Sequence, residues 1–213
     1  LHYHNFADVR TVLNIPNFWN IISNILFITI GGIGLIKART NSDLNKTIFY
    51  IGILFTGLGS SYYHLNPSNN TLLWDRIPMT IAFMSFFSMI LKDHLKIRYP
   101  NITLGILILL GLTSSLYWYI GELRGHGDLR PYALVQFLPM IMTPLICFFH
   151  PISKAYGKNV ALVILFYALA KVLEFYDDEI FNTIHSISGH SLKHFAASIA
   201  VYFIYKLNQS NSK

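Results

Sequence analysis

Apolar residues run through this chain in long blocks, neither confined to one face of a 3.6-residue period nor alternating with polar ones. Seven such blocks lie at about 18–36, 47–64, 71–91, 102–121, 131–150, 159–176 and 187–206. Each is close to the roughly 20 residues a helix needs to cross the hydrocarbon core of a bilayer. The linkers between them are short, so the expected architecture is all-α: a seven-transmembrane helix bundle forming a single domain over residues 1–213. A soluble α/β protein would need period-2 strands and glycine-rich βα turns, and neither is found. The first block reads as a retained helix and not a signal peptide, because Arg10 is followed by a polar segment and no small-residue cleavage site closes the apolar stretch. Leu1 in place of a starting Met suggests a trimmed N-terminus.

Composition agrees with lipid as the solvent: 53% of residues are hydrophobic, 15% aromatic and only 12% charged. A single cysteine, Cys147, excludes a disulfide framework and a thiolate cluster. Any metal must then sit on histidine and carboxylate. The basic residues also orient the bundle. Ten (Lys37, Arg39, Lys46, Lys92, Lys96, Arg98, Lys154, Lys158, Lys206 and Lys213) fall on one side, against Arg10, Arg124 and Arg130 on the other. Positive loops stay inside, so the N-terminus is expected outside and the C-terminus in the cytoplasm. The net charge of +6 is thereby a topology signal with affinity for anionic lipid headgroups, and not a nucleic-acid footprint.

The remaining three basic residues, Arg76, Lys171 and Lys193, fall inside the apolar blocks with Asp75, Glu174, His190 and His194, while His64 closes the second block. Ionisable groups in a bilayer are expensive and by default mark a functional interior. Given the expected orientation, Ser60, His64, Asp75, His190 and His194 all reach the outer third of the bundle. Ser60 and His64 are four apart, as are His190 and His194, so each pair projects from one helical face. Three imidazoles with an open fourth position make a catalytic zinc site, one that ionises a bound water near neutral pH and polarises a carbonyl. Asp75 suits a general base and later proton donor, and Ser60 suits orienting the water or donating to a developing oxyanion.

Plainer roles stand beside these. A single histidine on an apolar face is more often a satisfied core residue, and Asp75 could pair with Arg76 or cap its helix. Lys171 and Glu174, three apart, suit an intramembrane ion pair as well as substrate contact, and Lys193 could partner Glu174, Asp177 or Asp178. Trp19, Trp74, Trp118 and Tyr119 read as an interfacial aromatic belt. Pro139 and Pro144 are expected to kink their helix and so to offer a lateral entrance. The Gly31-Gly32-x-Gly34 run favours close helix packing.

Ser60-x-x-x-His64, Asp75 early in the next helix and His190-x-x-x-His194 in the last together resemble the CREST superfamily of membrane hydrolases. Within it, Asn17-Phe18-Trp19-Asn20 followed by Ser23-Asn24, and the short interval from His64 to Asp75, resemble the alkaline ceramidases. The resemblance implies zinc held by His64, His190 and His194, with Ser60 and Asp75 beside it, and a lipid amide drawn from the bilayer as substrate. One departure is plain. Animal alkaline ceramidases carry an acidic, tryptophan-containing calcium loop before the first helix, where this chain has Tyr3-His4-Asn5-Phe6-Ala7-Asp8-Val9-Arg10. Asp8 alone is a poor cage for a cation that takes six to eight oxygens.

The sequence thus predicts a multi-pass zinc amidase acting on ceramide or a related N-acyl lipid. Two other classes compete: a seven-helix receptor of the adipoQ/progestin type, and a transporter using His and Asp as an ion relay. No sizeable N-terminal domain favours the first, and no inverted repeat favours the second.

Overall fold

The computed structural model describes residues 4–40, 42–150 and 153–210. Leu1 and Tyr3 of the N-terminal expectations, and Lys213 of the charge count, lie outside them. All regular structure among the described residues is helical: α1 (Phe18–Ile22), α2 (Ile25–Thr40), α3 (Leu44–Leu65), α4 (Asn69–Leu95), α5 (Pro100–Leu123), α6 (Arg130–Phe149), α7 (Lys154–Phe175), α8 (Asp177–Ile184) and α9 (Gly189–Ser210). Each of the seven apolar blocks is largely helical, and the structure adds two features the pattern did not foretell. The first block is broken between α1 and α2, and the short α8 leaves α7 at a 76° bend.

The break has a local cause. Asn24 Nδ2 and Ser23 Oγ both donate to the carbonyl of Asn20, while the Asn24 amide donates to Ile21 O. Side chains have taken the acceptor that the next helical turn would have used. Together α1 and α2 still form a segment, Phe18–Thr40, long and apolar enough to cross a membrane, as are α5 and α6. The bent α7–α8 pair would make a fourth. Helices α3, α4 and α9 carry Ser60, His64, Asp75, Arg76, His190, Lys193 and His194 and are not among these.

Small residues let the helices approach closely. A Cβ on Gly31 would lie 2.6 Å from the Leu54 backbone of α3, and one on Gly34 would strike the Tyr50 ring, whereas Gly32 faces open space. The glycine run therefore packs as expected at two of its three positions. Gly59 does the same between α3 and α4, where a Cβ would collide with the Trp74 carbonyl. That contact sets Ser60 beside Asp75.

The main core joins α3, α4, α7 and α9 through Phe49, Ile53, Phe86, Ile90, Val163 and Ile204. A smaller cluster of Phe6, Tyr63, Leu72, Leu73 and Trp118 lies toward the histidines. Trp118 corrects one expectation: it is fully buried, donates from Nε1 to Glu122 Oε1, and carries the Arg76 guanidinium over its ring. Trp19 and Trp74 are exposed. Helix α6 continues through both Pro139 and Pro144.

Candidate metal centre

Helix α3 ends on His64, and α9 begins with His190 and His194 one turn apart on the same face. Helices α3 and α9 both pack against α2, which brings these ends together, so that one ring nitrogen from each of the three histidines lies within 4.8 Å of the other two. Nε2 of His64 and Nε2 of His190 face each other at 3.3 Å. The ring centroids are 4.9, 5.4 and 5.1 Å apart for the His64–His190, His64–His194 and His190–His194 pairs. His64 is 1% exposed, and its Nδ1 is buried without a hydrogen-bond partner among the described residues. Converging imidazole nitrogens with a buried, unsatisfied atom among them fit a bound cation far better than a packed aromatic core.

The surroundings orient each ring. Ser23 Oγ lies 2.7 Å from Nδ1 of His194, and the break after α1 is what presents it there. A partner on one imidazole nitrogen leaves the other directed at the shared point. The backbone amide of His190 donates to Asp177 Oδ1 at 2.6 Å, and the amide of Ala7 donates to Oδ2 of the same carboxylate at 3.0 Å. Asp177 thus ties the N-terminal segment to the first turn of α9. Through that tie Phe6 is laid edge-on against His64 and His190, at 4.6 and 4.7 Å between centroids. Asn17 Nδ2 donates to the His64 carbonyl, and Asn20 Oδ1 accepts from Ser191 Oγ.

Asp8 is buried, but its carboxylate is committed to Arg10, at 2.6 Å from Nη2 and 2.8 Å from Nε. That pairing holds the guanidinium above its ordinary pKa. Arg10 also donates to the carbonyls of His185 and Ser186. The one carboxylate of the segment Tyr3–Arg10 is therefore already neutralised by a side-chain cation.

Ser60, Asp75, His190 and His194 line one cavity of about 360 Å³; His64 does not line it but touches it through His190. Asp75 pairs with no neighbouring cation among the described residues, and its Oδ1 is buried without a partner. No ion pair joins it to Arg76 among the described residues, and it does not cap α4. Arg76 lies over the rings of Trp118 and Tyr132, at 3.9 and 4.9 Å, and α4 is capped by a reciprocal Ser68–Thr71 box.

Lys171, Glu174 and Lys193 also face the cavity. Glu174 takes both lysines, Oε2 to Lys171 Nζ at 2.6 Å and Oε1 to Lys193 Nζ at 2.5 Å. Of the three partners open to Lys193, the fold selects Glu174. Below this level the wall is apolar, with Phe27, Phe49, Ile53, Phe83 and Met140.

Ser23, Asp177 and Phe6 were not singled out as site residues from sequence. Ser23 belongs to the motif that carries the family resemblance, and Asp177 stands out in the sequence only as an acidic residue within reach of Lys193. Phe6 had no signal at all.

A family model described as Ceramidase matches residues 9–211 of the chain. No curated protein matches it.

Proposed function

The chain belongs to the ceramidase family, and from that premise we propose that it is a zinc-dependent membrane amidase that hydrolyses ceramide or a related N-acyl lipid. The observation that carries this reading is the convergence of three imidazoles, two of which line a largely apolar cavity that also presents Asp75 and Ser60. His64, His190 and His194 would hold the zinc. Three neutral imidazoles without a thiolate suit that ion among the divalent metals. Bound there, zinc would supply Lewis acidity toward the amide carbonyl and make water a competent nucleophile near neutral pH.

The chain's own groups do the rest. The Asp75 carboxylate takes a proton from the attacking water as the new C–O bond forms. It returns that proton to the amide nitrogen as the C–N bond breaks, so that a fatty acid and an amine leave. Ser60 donates its hydroxyl hydrogen to the oxygen on which negative charge develops. The apolar wall from Phe27 to Met140 takes the acyl chain, and Phe6 limits water from above.

The same reading makes the protein multi-pass, with seven crossings built from α1–α2, α3, α4, α5, α6, α7 and α9 as one domain. The N-terminus lies outside, the C-terminus is cytoplasmic, and the lipid enters from the bilayer. Helices α3, α4 and α9, which carry the histidines, Ser60 and Asp75, fall outside the segments apolar enough to cross a membrane unaided, as expected of helices that line a functional interior.

Mass spectrometry of purified protein incubated with a panel of N-acyl lipids tests the proposal. Release of fatty acid and amine is expected, to be abolished by a chelator and restored by zinc. Hydrolysis that persists in metal-free protein, or no hydrolysis of any lipid by zinc-loaded protein, defeats it.

A further inference from the structure

Asp8 and Arg10 form more than a local pair. The Asp8 side chain is 1% exposed, and its two oxygens accept from Arg10 Nη2 at 2.6 Å and Nε at 2.8 Å. Nη2 also donates to Ser186 O at 2.7 Å and Nη1 to His185 O at 3.4 Å, while the guanidinium lies 5.2 Å over the Phe181 ring of α8. His185 ends α8 in a left-handed conformation, φ 59°, and the turn made there supplies both carbonyls. Four oxygens, from segments 175 positions apart, thus converge on one cation.

What that cation holds lies beside the metal centre. Asn20 of α1 donates to the Asp8 carbonyl at 3.1 Å, and the Phe18 amide donates to the Arg10 carbonyl at 3.2 Å, so the corner is tied to α1 on one side. On the other side, the Ala7 amide donates to Asp177, which also takes the His190 amide. Phe6, the next residue, rests on the His64 and His190 rings. Fixing residues 8–10 against the turn before α9 therefore fixes the roof over the histidines.

In animal alkaline ceramidases the segment before the first helix is a calcium loop, and the donors present here do not fit that ion. Calcium takes six to eight oxygens, with several carboxylates among them. Only four converge here, one carboxylate and two carbonyls, and a guanidinium on the chain itself already engages them. We propose that Arg10 is the resident cation of this loop, a positioning residue that takes the structural place of calcium and keeps Phe6 over the histidines without any dissolved ion. The segment is therefore held closed at any calcium concentration.

Hydrogen exchange of the purified full-length chain in detergent, read by mass spectrometry over residues 5–10, tests this. Wild-type exchange should be the same in millimolar calcium and in a calcium-selective chelator. Arg10→Ala leaves a buried carboxylate without its cation, so exchange there should be about tenfold or more faster, the usual scale for hydrogen bonds to a charged group. Zinc should also pass faster from that variant to a competing chelator. The Arg10 side chain is 43% exposed, so the space it vacates opens to solvent. Millimolar guanidinium ion should then restore slow exchange to Arg10→Ala, and calcium should not. Arg10→Lys, a point charge in place of a planar fork, should restore it only in part.

Wild-type exchange that slows on adding calcium overturns the proposal. So does an Arg10→Ala protein exchanging at the wild-type rate, or one rescued by calcium and not by guanidinium. If Arg10→Ala unfolds generally, exchange in α5 rises as well, and the calcium comparison on wild-type protein decides. Exchange is read without lipid hydrolysis, so this result and the amidase reading stand or fall separately.

Discussion

The Asp75 carboxylate has one oxygen sealed from solvent and unpartnered, a state a folded protein tolerates at few positions. As a proton carrier it needs no stabilising partner and does need access to the reacting water, and a place on the same cavity wall as His190 and His194 suits both conditions. Asp75→Asn is therefore expected to leave about one zinc per chain and to lower turnover by roughly 100- to 10,000-fold, the range for losing general acid–base assistance. His64→Ala should remove both zinc and turnover. A merely structural Asp75 would instead lower the melting temperature while the folded fraction kept its specific activity. Zinc content, melting temperature and rate measured on one preparation separate these, and an Asp75→Asn protein working at the wild-type rate would rule out the proton-transfer role.

At the level of elements, the interruption between α1 and α2 does more than bend a crossing. A continuous helix would donate the Asn24 amide to Asn20 O. Here side chains occupy that carbonyl, and Ser23 is left at the buried junction with its hydroxyl 2.7 Å from Nδ1 of His194. Partners of this kind on a metal-binding imidazole are usually worth about 10- to 100-fold in metal affinity. Ser23→Ala should raise the zinc dissociation constant by that factor in a competition titration against a chelator, with little change in helix content. Unaltered zinc affinity would reduce Ser23 to a packing residue. Helix α8 has a comparable place: its first residue, Asp177, carries both the His190 amide and the N-terminal segment that brings Phe6 over the rings.

For the molecule as a whole, ten basic residues against three predict a cytoplasmic C-terminus and an external loop between α5 and α6. In a Cys147→Ser background, His126→Cys should react with a membrane-impermeant thiol reagent in intact cells, and Gln209→Cys should react only after permeabilisation. The reverse pattern would invert the bundle and place the histidine cluster near the cytoplasmic face. Both positions are exposed, so a lack of labelling would reflect the membrane and not burial.

Much of this protein was legible in its sequence because a bilayer imposes a strong one-dimensional signal. Long apolar blocks mark helices, and any ionisable residue within them stands out against its neighbours. Ser60, His64, Asp75, His190 and His194 were found on that contrast and on i,i+4 spacing, which fixes a helical face without reference to the rest of the chain. The structure brings all five to one place. Charge sharing was not legible, since Lys193 had three acidic residues within reach and only the packing of α7 against α9 chose Glu174. Trp118 likewise matched an interfacial tryptophan by position, and only the packed bundle shows it buried beneath Arg76. The roof and its latch were the least visible. Phe6 and Asp177 are ordinary residues 171 positions apart, and their link is a backbone amide that no residue type announces. Helical periodicity and hydropathy are properties of neighbouring residues, so sequence alone determined the helices and the faces that carry the histidines. Which distant side chains support those faces depends on the angles at which the helices cross and on where the chain breaks, and only the tertiary structure decided that.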